Sequence, residues 1–193
     1  MGWLKGGRDM TTETDQKPDA IELLLQQHTE ARQLVAEIAS AAGDDKKKAF
    51  QQLVRLLAVH ETAEEEVIHP LVKFVGEDGE RVAEARKAEE DEAKSVLSDL
   101  ESMEIGSAEF EQTFASFKQM LLRHAANEER EVFPRIRATQ SPDDLQRLGD
   151  ALRKAERFAP THPHPNAPES GLGNVVVGPF VAVVDRVRDA LRR

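Results

Sequence analysis

The sequence predicts an all-α protein: an up-down-up-down four-helix bundle with a C-terminal helical extension. Three observations lead there. Ala, Leu, Glu, Lys, Arg and Gln dominate, and apolar residues recur at helical spacing. The turn signals "AAGDD", "VGEDGE" and "EIGSAE" cut the chain into four long segments. The first pair of segments also reads as a copy of the second, so the unit is a helix pair used twice.

Helix one is expected over 19–41, with Asp19 after Pro18 as its N-cap and Ile21, Leu24, Leu25, Ala31, Leu34, Val35 and Ile38 on one face. Helix two is expected over 45–75, with Phe50, Leu53, Leu57, Ile68 and Leu71 inward. Helix three covers 79–103, and helix four 107–138 with Phe110, Phe114, Phe117 and Leu121 inward. "SPDD" then starts another helix, with Ser141 as cap and Pro142 at its first position; Leu145, Leu148 and Leu152 form its apolar face. A Pro-rich loop, "APTHPHPNAPESGLGN", leads to a last helix opened by Pro179, with Phe180, Val183, Val184, Val187 and Leu191 on one side. The domain reading is therefore an N-terminal segment 1–18, a bundle 19–140 and a C-terminal extension 141–193, packed on the bundle or on a partner subunit. The bundle is expected to close without it.

Composition narrows the function. A net charge of −10 on 193 residues repels phosphate backbones and argues against nucleic acid as a partner. The absence of Cys excludes disulfides, thiolate metal sites and iron–sulfur clusters, and fits a cytoplasmic location. "MGWLKGGRDM" lacks the apolar run of a signal peptide, and "VVVGPFVAVV" is too short to span a bilayer, so no membrane role is expected. The chain has no Tyr, hence no tyrosine ligand or tyrosyl radical.

The repeat locates the chemistry. A shift of 64 residues lays "HETAEEEVIHP" on "HAANEEREVFP", carrying His60 onto His124, Glu64 onto Glu128 and Pro70 onto Pro134. A shift of 62 lays His28 on Glu90 and Ala31, Leu34, Val35 and Ile38 on Ala93, Val96, Leu97 and Leu100. His60 and Glu64 continue the inward stripe 50, 53, 57; His124 and Glu128 continue 110, 114, 117, 121. His28 lies on its own apolar stripe. Three His and two Glu thus converge on a core, where polar groups are costly unless paired. Mutual hydrogen bonding is one solution. A metal is the more complete one, and imidazole with carboxylate suits Fe, Mn or Zn.

With these residues in view, the chain resembles the hemerythrin-like, HHE cation-binding family over residues 20–137. The match rests on His28, on H-x-x-x-E at 60–64 and 124–128, and on the Pro after each. The tail "THPHP…VVGPFVAVVDRVRDAL" is similar to that of actinobacterial members. The resemblance implies a four-helix bundle around a non-haem di-iron centre, with Mn or Zn as lesser alternatives. It implies His28, His60, Glu64, His124 and Glu128 as ligands, the two Glu bridging the metals. Glu61 is a second-tier candidate, because some members use the carboxylate directly after the helix-two His; a solvated helix face is the preferred reading for it.

The family has His on helix three, where this chain has Glu90, one turn after Arg86. Glu90 is either a ligand in place of His or half of an Arg86–Glu90 ion pair. More carboxylate lowers the iron potential, which disfavours reversible oxygen carriage and favours oxygen or peroxide chemistry or sensing. Among the other histidines, His69 is expected to face away from His60 and to pack, and His162 and His164 to lie in a solvated loop. The first functional reading is a di-iron protein that handles or senses O2, peroxide or NO, as monomer or homodimer, with peroxide disproportionation as its enzymatic form. The alternatives are an iron-buffering module and an interaction protein with a degenerate site.

Overall fold

The computed structural model describes residues 17–159. The expected last helix, His162, His164 and nearly all of the N-terminal segment lie outside the described residues. Within them the protein is all-α. Helices α1 (Ala20–Ser40), α2 (Gly43–Val67), α4 (Gly79–Ser102) and α5 (Ala108–Asn127) are the long elements. A short α3 (His69–Val72) follows α2. A π-helical turn (Glu128–Val132) and α6 (Phe133–Thr139) prolong α5, and α7 (Pro142–Glu156) closes the described chain. α1 packs on α2 and α5, and α4 on α5 and α2, which makes the four-helix bundle.

The helix starts follow their sequence signals. The Asp19 side chain accepts from Glu22 N at 2.8 Å while Glu22 reaches back to Asp19 N at 2.9 Å, a complete capping box. Ser107 and Ser141 cap α5 and α7 through their hydroxyls.

Helices two and four are not continuous, as the sequence had suggested. The first is interrupted one turn after Glu64 and the second from Glu128 itself, and the repeated Pro gives the reason. Proline has no N–H to donate and its ring crowds the carbonyl one turn back. Before Pro70 the helix breaks at Ile68 and restarts as α3. Before Pro134 it widens instead, and Phe133 N bonds to Glu128 O, five residues back.

The apolar core is in two parts. One cluster fills the end formed by Phe50, Leu53, Phe110, Phe114 and Phe117 with Ile38 and Leu100. The other gathers Ile21, Leu24, Val67, Ile68, Leu71, Val82, Phe133 and Ile136, and includes Leu145, Leu148 and Leu152 of α7. α7 is therefore part of the core at that end, beyond the mere attachment the sequence suggested. Between the two clusters lies a polar layer.

Candidate metal centre

The stripes of α1, α2, α4 and α5 each carry a polar residue at the same level. His28, His60, Glu64, Glu90, His124 and Glu128 are all buried, with Glu64, Glu90 and Glu128 at 0% exposure. Their donor atoms form two overlapping groups: His28, His60, Glu64 and Glu128, and Glu64, Glu90, His124 and Glu128. Within each group the atoms lie within 4.8 Å of one another. Glu64 and Glu128 belong to both.

The contacts inside the layer are close but not hydrogen-bonded. His28 Nε2 is 3.2 Å from Glu128 Oε2, and His124 Nε2 is 3.5 Å from the same oxygen. The inward Nε2 of His28, His69 and His124, and both oxygens of Glu64, Glu90 and Glu128, make no hydrogen bond. Buried polar atoms are rarely left so. Unpaired imidazole and carboxylate atoms that converge on one space are what a cation satisfies, and these donors suit a first-row transition metal. The residues present therefore fit a bound metal.

The outer side of each ring is held. His28 Nδ1 meets Glu129 Oε1 at 2.9 Å, His60 Nδ1 meets Gln27 Oε1 at 2.8 Å, and His124 Nδ1 meets Glu89 Oε2 at 3.1 Å. Such partners fix the ring and leave Nε2 free to face a metal. They follow the repeat: Gln27 and Glu89 are matched residues, each holding the H-x-x-x-E His of the other helix in its own pair. Arg32 pairs with Glu129 at 2.7 Å, and the matched Lys94 pairs with the matched Glu65. From sequence, none of them carries this role, and Glu89 stands only as a neighbour that could compete with Glu90, yet each lies next to an inward residue and shares its offset.

Three expectations change. His69 does not face away: its Nε2 is 2.9 Å from Glu90 Oε1. Counting along an unbroken helix puts it opposite His60, but the break at Ile68 resets the direction. Its counterpart Phe133 stacks on His28, with ring centroids 5.4 Å apart. Glu61 is not on a solvated face: it is 4% exposed, with Lys94 Nζ 3.8 Å from Oε2. The Arg86–Glu90 ion pair does not form. Arg86 reaches Glu89 at 3.0 Å, and Glu90 turns toward His69 and His124.

Without a metal, the layer's charges are strongly perturbed. Burial, aided by His28, lowers His60 to about 3, so its ring is neutral. Burial also opposes charge on His124, but Glu128, Glu89, Glu90 and Glu61 together outweigh it and hold the ring at about 9. Glu128 is lowered to about 2: burial opposes this, and His124, His28 and His60 prevail. Burial and the neighbouring Glu128 push Glu64 well up. Burial beside Glu90 takes Glu61 to about 8.

A narrow pocket reaches the layer between α1, α2 and α5. Gln27, Arg32, Leu56, Leu57, Leu121 and Leu122 line it, with His28, His60, Glu61 and His124 at its polar side. It has room for no more than about one water.

Comparison with known proteins agrees with this geometry. The hemerythrin HHE cation-binding domain matches residues 19–136. A hemerythrin-like protein of Schizosaccharomyces pombe is 28% identical over 174 residues, spanning 89% of this chain and 86% of that one. The crystal structure of a hemerythrin HHE cation-binding domain-containing protein from Mycobacterium kansasii has the same fold. Its TM-score is 0.64 at 20% identity, over 89% of this chain and 99% of that one. Matched over most of its length, and with a buried His/Glu layer that could hold a metal ion, the chain belongs to the hemerythrin HHE cation-binding domain family.

Proposed function

We propose that the polar layer holds two irons and that the protein uses them to handle or sense a small ligand: O2, peroxide or NO. One observation carries this reading. Two groups of donors share both Glu64 and Glu128, and their inward atoms are left without hydrogen bonds. Two carboxylates common to two donor groups are the arrangement that bridges a metal pair. His28 and His60 would serve the first metal; His124 and Glu90 the second, with His69 beside Glu90 as a further donor. When bound, such a pair supplies an electron-rich binding place for a small oxidant.

The chain's own residues do the rest. Glu129, Gln27 and Glu89 orient the rings. Leu56, Leu57, Leu121 and Leu122 line the approach and limit both water and ligand size. Glu61 borders the same pocket, and in the metal-free chain burial beside Glu90 holds its carboxyl up to about 8.

Anaerobic reconstitution with ferrous iron followed by elemental analysis is the test. Two irons per chain are expected, and His60→Ala with His124→Ala should abolish uptake. A single zinc, or uptake unchanged in the double variant, overturns the reading. Oxygen evolution from peroxide then separates an enzymatic role from iron buffering.

A further inference from the structure

The orientation of one histidine in the layer depends on α7. His28 and His124 are held by carboxylates, but His60 is held by an amide, through Gln27 Oε1 at 2.8 Å. A carboxylate offers only acceptors, whichever way it turns, so it always takes Nδ1–H. An amide has two different ends. Turned over, Gln27 would present its NH2 to Nδ1, and the ring proton would move to Nε2, on the side facing Glu64 Oε2 at 3.2 Å. Something must choose between the two, and Glu156 does. Its Oε1 accepts from Gln27 Nε2 at 2.7 Å, which leaves the carbonyl end for His60.

Glu156 is firmly carried. It lies at the end of α7, whose Leu148 and Leu152 are buried in the core. Gly149 sits so close to the start of α1 that a Cβ there would be 3.0 Å from Ala20 N. Arg153 Nη1 donates to Pro18 O at 2.9 Å.

We propose that Glu156 is a positioning residue of the metal centre: acting through Gln27, it sets the tautomer of His60, so α7 is a working part of the site. The effect on metal rests on the reading of the layer as an iron site, whereas the tautomer is a property of the metal-free chain.

The test uses the full chain, metal-free and labelled with 15N-histidine, near neutral pH. Long-range proton–nitrogen spectra report each ring's tautomer, and His60→Ala identifies the His60 signals. The native protein should show Nδ1–H at His60. Glu156→Gln should keep it, because its amide oxygen can still take Gln27 Nε2–H. Glu156→Lys puts a donor where the acceptor was; it should reverse Gln27, move the proton to Nε2 and weaken ferrous iron binding about 10–100-fold. Glu156→Ala, which only removes a half-buried side chain, should give a mixture and covers the case of a poorly folded Lys variant. Nε2–H in the native protein, or pure Nδ1–H in both the Lys and Ala variants, overturns the proposal. A tautomer switch with unchanged iron uptake supports the relay and counts against His60 as an iron ligand.

Discussion

His69 and Phe133 hold matching places in the two halves of the chain, and so do Glu90 and His28, yet the chemistry is exchanged. One half sets an imidazole on the long helix with a phenyl ring stacked on it; the other sets a carboxylate there with an imidazole against it. The imidazole that Glu90 costs the second half is returned by His69 from a different element. Replacing His69 with Phe, a side chain the matched position already accommodates, should leave the fold intact and lower iron from two toward one per chain, read by elemental analysis. Iron content at the native level would show that His69 only packs. The sequence displayed His28, His60, Glu64, His124 and Glu128 because each continues an apolar stripe at helical spacing. It hid His69 because two and a half unbroken turns put that residue opposite His60. It hid the burial of Glu61 because the matched residue, Ala125, says nothing about charge.

At the scale of elements, starts were legible and interruptions were not. Asp19 and Ser141 announce helices through side-chain oxygens that accept orphan backbone N–H groups, a local effect. Pro70 and Pro134 were visible, but whether a proline yields a break or a π turn depends on what packs around it. Both outcomes act just past the Glu of each motif, and in the second half Glu128 opens the widened turn that also carries Glu129 to His28. The α3–α4 junction has its own requirement. A Cβ on Gly79 would lie 2.4 Å from Val72 O, so α4 can begin there only without a side chain. Gly79→Ala should destabilise the protein by about 1–3 kcal/mol in a thermal or denaturant melt. It should also lower iron content, because the junction holds His69 of α3 against Glu90 of α4. A native melt would mean that the loop yields freely.

For the molecule as a whole, the polar layer divides two apolar clusters, and its charge state couples metal, proton and fold. In the metal-free protein His60 sits at about 3, below its ordinary 6.5. Its contribution to stability is present above pH 6.5 and is lost as pH falls toward 3. His124 sits at about 9, above 6.5; its contribution is full below pH 6.5 and is lost as pH rises through 9. Glu61, raised to about 8, and Glu64, also raised, likewise lose stability as pH rises above their ordinary 4.5, so with His124 they tilt the metal-free curve downward on its alkaline side. Iron changes the upper side of this curve. A metal-bound ring must give up its Nε2 proton, and Glu64, which burial and Glu128 push up, must be ionised as well. Iron uptake should therefore release protons and tighten as pH rises. At about 100 times the dissociation constant, iron adds about 2.7 kcal/mol. Melting curves from pH 6 to 9, with and without ferrous iron under anaerobic conditions, should show a gap that widens with pH. A gap independent of pH would mean that iron binds without displacing these protons, and so outside the layer.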